Sequence, residues 1–350
     1  MQILIVGQGI SGTNLAAEAL RRGISTRIID QPKKDTPSKT AAGMFNPVTF
    51  RVPTLSKNAR EYFSVLNQFY TNMENETGTR FYQPMPYTRL FSSPEEQNNW
   101  IHKCAQGAFR EFASDEIHQY STPISAPLGG AEVFSAGFVE SRKMLAGFKE
   151  KLLKDNLLTE ECFNFDRLEI HENKVCYQTQ KEILEADYII FADGPQVMRN
   201  PLFNFLPFRP VKGEVLTLKI KDFVPERILS KGMFLIPKGN DLFYAGSTYS
   251  HKSLNTNPTD DDKQKILQTI EKFIKRPIEI IEHRAGIRPA TKDRNALIGK
   301  HPEHQRVALF NGMGSKAVSM TPLLASVLLN HLEFGTVIDK TVDLNRFVKS

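Results

Sequence analysis

The sequence predicts an α/β protein: a parallel-sheet domain of Rossmann character, built from discontinuous segments, into which an α+β domain carrying an antiparallel sheet is inserted. Three observations carry that expectation. Short apolar strands that end in or near glycines occur at residues 3–6, 188–191 and 306–310, that is, at the start, the middle and the end of the chain. Between the last two, residues 215–220, 233–236 and 242–245 are strand-like and separated by turn residues, and DLFYAGS at 241–247 reads as half of an antiparallel pair. The first strand leads into a glycine turn, a helix and a second strand, the βαβ context that a nucleotide-binding turn requires.

The elements follow in order. Residues 3–6 form a four-residue apolar run, which suits a strand buried on both faces. From residue 10 to 20 the apolar positions Ile10, Leu15, Ala16, Ala19 and Leu20 recur at helical spacing, with Gly23 as the C-terminal stop. Residues 26–29 are a second strand ending at Asp30. Residues 35–53 read as a loop rich in small residues, and 56–77 as a helix. From 80 to 133 the pattern is short and mixed, broken by Pro84, Pro86, Pro94, Pro123 and Pro127, with a short helix at 97–104. Helices at 141–153 and 260–274, strands at 174–178 and 188–191, and a last helix at 317–332 complete the pattern. The expected boundaries are 1–80, 136–206 and 284–350 for the nucleotide domain, and 81–135 and 207–283 for the substrate domain.

Composition bounds the function. At 350 residues, with 40% hydrophobic and 24% charged residues, the chain has the make-up of a soluble globular protein with a sizeable core. The net charge of +6 and pI near 9.0 come from scattered Lys and Arg, with no run of five like charges. This is a mildly basic surface; without a basic stripe no nucleic-acid partner is expected. Cys104, Cys162 and Cys176 are widely spaced, with no CxxC and no histidine at ligand spacing, so neither a disulfide framework nor a metal site is expected. The first strand begins at Gln2, and the longest apolar run, AVSMTPLLASVLL, is short for a bilayer and carries Ser, Thr and Pro. A cytoplasmic protein without a membrane span is expected.

The turn GQGISG places Gly7, Gly9 and Gly12 in the G-x-G-x-x-G pattern. The first glycine permits the tight turn, the second lets backbone approach a pyrophosphate, and the third lets helix pack on strand. The pyrophosphate lies at the helix N-terminus, where unpaired N–H groups and the helix dipole favour an anion. Asp30 stands 18 residues after Gly12, near the expected spacing of about 20, and would accept hydrogen bonds from the ribose. An acid there disfavours a 2′-phosphate and so NADP. The turn alone does not separate NAD from FAD.

Further stretches resemble the flavoenzyme family of glycine oxidase, D-amino-acid oxidase and sarcosine oxidase. These are SKTAAGMFNP at 38–47, GFVESRKMLAGF at 137–148, ADYIIFADG at 186–194, PVKGEVLTL at 210–218, and, most specific, HRAGIRPATKDRNALIG followed by VALFNGMGSKAVSMTPLLASVLLNHL. The resemblance runs in order along nearly the whole chain and is weakest between residues 55 and 135. It implies a Rossmann-like FAD-binding domain with non-covalent FAD. The residues it places at the cofactor are Ile10, Ser11, Asp30, Gln31, Ser38, Ala42, Gly43 and Met44, together with Gly194 and the turn Gly312, Met313, Gly314, Ser315, Lys316, Ala317 and Val318. Helix N-terminal N–H groups at that last turn suit the negative charge of a reduced flavin.

The resemblance also assigns Arg288, the arginine of G-x-R-P, to a substrate carboxylate, a task that suits a planar guanidinium. The competing role is a structural ion pair with Asp293 or Glu282. Arg284 is a second candidate. Where the glycine oxidase-like pattern has Arg and Gly, this chain has Ser315 and Ala317, which makes Lys316 the substitute substrate contact. Tyr244, Tyr249 and His251 lie in the inserted β region, where packing or surface roles are expected. The implied reaction is oxidation of the C–N bond of an amino acid or secondary amine: hydride passes from the α-carbon to flavin N5, and water hydrolyses the imine. O2 or another acceptor takes the electrons, and a homo-oligomer is compatible with the sequence. The alternatives are a flavin hydroxylase, a tRNA-modifying amine oxidase and a non-catalytic FAD-binding subunit.

Overall fold

Ile3, Leu4, Ile5 and Val6 are all buried, and the strand they form, Gln2–Val6, lies at the centre of a six-stranded sheet. The computed structural model describes residues 1–33, 35–50 and 52–348. Across the sheet the order is Leu158–Glu160, Ser25–Asp30, Gln2–Val6, Tyr188–Phe191, Val307–Asn311 and Leu297–Lys300. The first five run parallel and the last is antiparallel. Alternate side chains serve two cores. Ile3, Ile5, Ile28, Ile190 and Phe310 pack with the helices Ile10–Arg21 and Ala317–Phe334. Leu4, Val6, Ile29, Ile189 and Phe191 pack with a three-stranded antiparallel sheet made of Leu168–Ile170, Val175–Gln178 and Ile183–Ala186. A strand covered on both faces must be apolar at every position, which is why a continuous apolar run marked it.

A seven-stranded sheet stands beside the first. Its order is Glu279–Arg288, Val211–Lys219, Leu242–Gly246, Met233–Gly239, Ile228–Lys231, Tyr87–Leu90 and Gly130–Val133. Neighbours are antiparallel except Ile228–Lys231 and Tyr87–Leu90, which run parallel. One face carries Leu216, Leu218, Leu235 and Phe243 against the helix Asp260–Glu271 through Ile266 and Ile270. The other face carries Val215, Ile236, Tyr244 and Tyr87, with Trp100 and Phe91 packed over part of it.

The structure departs from the sequence reading in places. The expected loop at 35–53 contains a single helical turn, Pro37–Thr40, and two short strands, Met44–Phe45 and Val48–Thr49. Their partners are Gly137–Val139 and Thr54–Leu55; two-residue strands have no periodicity to read, and tertiary pairing makes them. The mixed stretch after residue 80 supplies Tyr87–Leu90 and Gly130–Val133 to the larger sheet. The strand Glu279–Arg288 crosses the expected boundary between 283 and 284, its whole length lying in the seven-stranded sheet. Residues 34, 51, 349 and 350 of the expected segments lie outside the described residues. The helix Ala317–Phe334 has the length and composition to cross a membrane, and it serves as a core helix, burying Leu324, Leu328, Leu329 and Leu332.

Candidate active site

A cleft of about 830 Å³ opens at the carboxyl ends of the central parallel strands and extends to the seven-stranded sheet. The first turn forms its floor. Gly7 has φ +107°, and a Cβ on Gly12 would stand 1.8 Å from the Gly7 carbonyl oxygen, so the helix begins hard against the turn. As first-turn residues of that helix, Ile10, Ser11 and Gly12 have no intrahelical acceptor for their N–H groups. Ile10 donates to Ser38 Oγ at 3.0 Å. Asp30, at the end of its strand, accepts the Gln8 N–H on Oδ1 at 2.9 Å, and burial raises its carboxyl pKa against the pull of that bond and nearby lysines.

A second helix N-terminus faces the same space. The strand Val307–Asn311 ends in the turn that leads into Ala317–Phe334. The Asn311 amide donates to Asp193 Oδ1 at 3.0 Å and to the Gly194 carbonyl at 2.9 Å, and its Oδ1 accepts the Gly312 N–H at 2.8 Å. One side chain thus ties the turns of two adjacent strands together. Desolvation pushes the Asp193 carboxyl up to about 7. The two helices are joined behind the cleft by Asn14, whose amide donates to Thr321 Oγ1 at 2.7 Å and Tyr70 Oη at 2.9 Å. Two positive helix ends therefore point at one compartment, a setting that favours an anionic ligand.

Arg288 lies at the far wall. Its Nη1 donates to the Thr248 carbonyl at 3.2 Å and its Nη2 to Ser247 Oγ at 3.0 Å, and its guanidinium lies 4.4 Å from the centre of the Tyr249 ring. Both hydrogen-bond partners are neutral, and among the described residues no carboxylate pairs with it. The expected competitors are engaged elsewhere: Asp293 with Arg346 at 2.9 Å, and Glu282 with Arg142 at 2.9 Å and Arg284 at 3.3 Å. Desolvation lowers the Arg288 pKa, which marks a cation held away from water without a counter-charge.

The structure brings most of the sequence-predicted residues to this cleft. Gly7, Gly9, Ile10, Ser11, Asp30, Gln31, Ser38, Ala42, Gly43, Met44, Gly194, Met313, Gly314, Ser315, Lys316, Ala317, Val318 and Arg288 all line it. Gly12 and Gly312 do not. Gly12 lies beneath Gly7, and a Cβ on Gly312 would come within 3.0 Å of the Leu297 nitrogen, so both act through close packing. Lys316 is an exposed rim residue with its Nζ 3.4 Å from Ser56 Oγ. Arg284 is bound away from the cleft, donating to the Lys39 carbonyl at 3.0 Å and stacking on Tyr244. Of the region's polar aromatics, Tyr249 lines the cleft, Tyr244 is buried beside Lys238, and His251 is exposed and bonds the Pro210 carbonyl at 3.1 Å. Sequence reasoning missed Asp193, Asn311 and Ser247. The first two flank glycines already singled out, and that adjacency was the available signal.

Comparison with known proteins agrees with this geometry. The family model described as "FAD dependent oxidoreductase" (DAO) matches residues 2–330, and the chain belongs to that family. Its relatives include a glycine oxidase of Pseudomonas aeruginosa, 22% identical over 93% of both chains. They also include a tRNA 5-methylaminomethyl-2-thiouridine biosynthesis bifunctional protein of Marinobacter nauticus, 22% identical over 94% of this chain; this chain spans 55% of that longer protein. Among solved structures, the glycine oxidase of Bacillus cereus superposes with a TM-score of 0.80 at 19% identity, covering 96% of each chain. The iminodiacetate oxidase of Chelativorans sp. BNC1 superposes with a TM-score of 0.81 at 17% identity, covering 99% of this chain and 98% of that one. These two share the fold.

The chain is an FAD-dependent oxidoreductase, and its residues fit that cofactor. A glycine approach at Gly9, two helix N-termini without side-chain caps facing the cleft, and an acid at the end of the second strand are the donors and acceptor that a dinucleotide needs.

Proposed function

We propose that this protein oxidises the C–N bond of a small amine that carries a carboxylate, an amino acid or an N-substituted one. The observation that carries the reading is Arg288: a guanidinium in the cleft wall, oriented by Thr248 and Ser247, with no acid to neutralise it. Such a fork binds a carboxylate through two parallel N–H···O bonds, and in a desolvated cleft that pairing is strong.

Bound FAD supplies the redox chemistry, accepting a hydride from the substrate α-carbon. The chain's own part is binding and orientation. Arg288 holds the carboxylate and so fixes the α-carbon. Ala317 and Val318, at the start of the last helix and in the cleft lining, would offer N–H groups and the positive helix end to the negative charge of a reduced flavin. Asp30 would hold the ribose end, and the Ser11 N–H at the first helix N-terminus would face the pyrophosphate. The product imine is hydrolysed by water. No side chain needs to act as a strong base if the amine reacts in its neutral form.

The test is the visible spectrum of the purified protein, titrated without oxygen against amino acids, N-methylated amino acids and amines lacking a carboxylate. Bleaching of the flavin band by the carboxylated amines alone is the expected result. Arg288→Leu should then keep FAD and raise KM for those substrates by about 100-fold, the scale of a lost charged hydrogen-bond pair. A band that no carboxylated amine bleaches, or an unchanged KM in the variant, overturns the reading. A silent flavin would move it to the hydroxylase, tRNA-modifying or non-catalytic alternatives.

A further inference from the structure

The segment that orients Arg288 runs from Ser247 to Thr259, between the strand Leu242–Gly246 and the helix Asp260–Glu271. It begins on the cleft face of the seven-stranded sheet, where Ser247 and Thr248 accept from Arg288 and Tyr249 lies against it. Its later part is held from the opposite face. Side chains alternate along Val211–Lys219, so Gly213 and Val215 face the cleft while Lys212 and Glu214 point away from it.

Those two side chains are almost completely buried, at 2% and 0% exposure, and pair at 3.0 Å. Glu214 accepts from the Thr259 N–H at 3.0 Å and from Thr259 Oγ1 at 3.2 Å, and its Oε2 lies 2.7 Å from His283 Nε2. Lys212 donates to the Asn257 carbonyl and lies 3.5 Å from Asn255 Oδ1. The backbone continues the join. Lys212 and Ser250 exchange two N–H···O bonds at 2.8 and 2.9 Å, and the Glu214 N–H donates to Thr248 Oγ1 at 3.1 Å. Thr248 Oγ1 in turn donates to Asp262 at 2.9 Å.

A buried ion pair is costly to desolvate and is weak ground for stability by itself. Here the side-chain hydrogen bonds of the pair all go to one segment, at Asn255, Asn257 and Thr259. We propose that Lys212 and Glu214 are positioning residues for the carboxylate site: they latch residues 247–259 so that Ser247 and Thr248 hold the Arg288 fork aimed into the cleft. This rests on the reading of Arg288 as the carboxylate ligand.

The experiment uses the FAD-loaded enzyme and the paired variant Lys212→Met with Glu214→Gln, which removes both charges together at nearly constant volume. Three quantities are read: KM and kcat for a carboxylated amine, the Kd of acetate from its perturbation of the flavin spectrum, and the rate of protease cleavage within 247–259. The latch predicts that KM and the acetate Kd both rise about tenfold while kcat stays within about twofold, because carboxylate binding and not chemistry is lost. Cleavage in the segment accelerates. Unchanged acetate affinity in the folded variant overturns the latch, as does a fall in kcat with KM unchanged. If the paired variant does not fold, Thr259→Val and Asn255→Ala, at the surface end of the latch, decide it. Faster cleavage with a severalfold higher acetate Kd in these variants supports the latch, and absence of either overturns it. Arg288→Leu is the reference: if it leaves acetate affinity intact, the carboxylate reading itself fails; if it weakens acetate and the latch variants do not, only the latch fails.

Discussion

The guanidinium of Arg288 occupies the space that a side chain on Gly213 would need: a Cβ built on Gly213 would lie 2.1 Å from both Nη1 and Nη2. The two residues sit on adjacent antiparallel strands, where Gly213 pairs with Gly286 and Val211 with Arg288. The missing side chain is thus a notch in the sheet that receives the arginine. Gly213→Ala should displace the fork while leaving the cofactor end untouched. KM for a carboxylated amine is expected to rise about 100-fold, since a shift of about 1 Å at a reacting site can cost that much. The FAD-loaded spectrum should be unaltered. Steady-state kinetics against the wild-type spectrum check it, and an unchanged KM would show that Arg288 is not fixed by this notch.

The third glycine of the first turn makes a sharper packing demand. With a Cβ on Gly12 only 1.8 Å from the Gly7 carbonyl oxygen, alanine cannot be accommodated without moving the helix off the turn. Gly12→Ala is expected to lower stability by about 1–3 kcal/mol, the usual cost of overpacking, and to lower FAD retention with it. Thermal unfolding with and without added FAD measures both. A variant with wild-type Tm and full FAD occupancy would refute the close contact.

This contact also marks how far the sequence could be read. The three glycines, the apolar strand before them and Asp30 all lie within one βαβ unit, so local pattern alone located them. Arg288 and Arg284 could not be separated that way. They are on one strand, four residues apart, and only the three-dimensional neighbours show that Arg284 is bound to Lys39 and Tyr244 while Arg288 faces the cleft. The resemblance at G-x-R-P chose between them. The strands Met44–Phe45 and Val48–Thr49 were illegible for another reason: each is two residues long and exists through its partner. Ser247 and Thr248 escaped notice because their role depends on Arg288, some 40 residues away in sequence.

Asp30 provides a test of the cofactor end. Its carboxylate already holds the Gln8 N–H, so alanine would lose both the turn contact and the ribose acceptor. Asp30→Ala is expected to weaken FAD binding by about 10- to 100-fold, the range of a lost charged hydrogen bond. Asp30→Asn keeps an acceptor for Gln8 and should fall between the two. Equilibrium dialysis of FAD against each variant distinguishes them. Full occupancy in the alanine variant at limiting FAD would remove Asp30 from the ribose.

Asp193 couples the cleft to pH. Burial raises its carboxyl from the ordinary value near 3.8 to about 7, so the folded protein holds a proton there that the unfolded chain has released over that interval. Stability contributed by the protonated carboxyl is therefore full below about pH 4 and is lost as pH rises through about 7, because the folded state binds more protons in that window. An asparagine in its place would be neutral throughout while retaining an acceptor for the Asn311 amide, which donates to Asp193 at 3.0 Å. Asp193→Asn should accordingly flatten the fall in Tm between about pH 4 and 7 and leave the profile above about pH 8 parallel to wild type. Tm measured on both proteins across that range, at constant ionic strength and saturating FAD, checks the sign. If both lose stability equally over the interval, other groups carry the dependence and Asp193 is ionised in the folded enzyme.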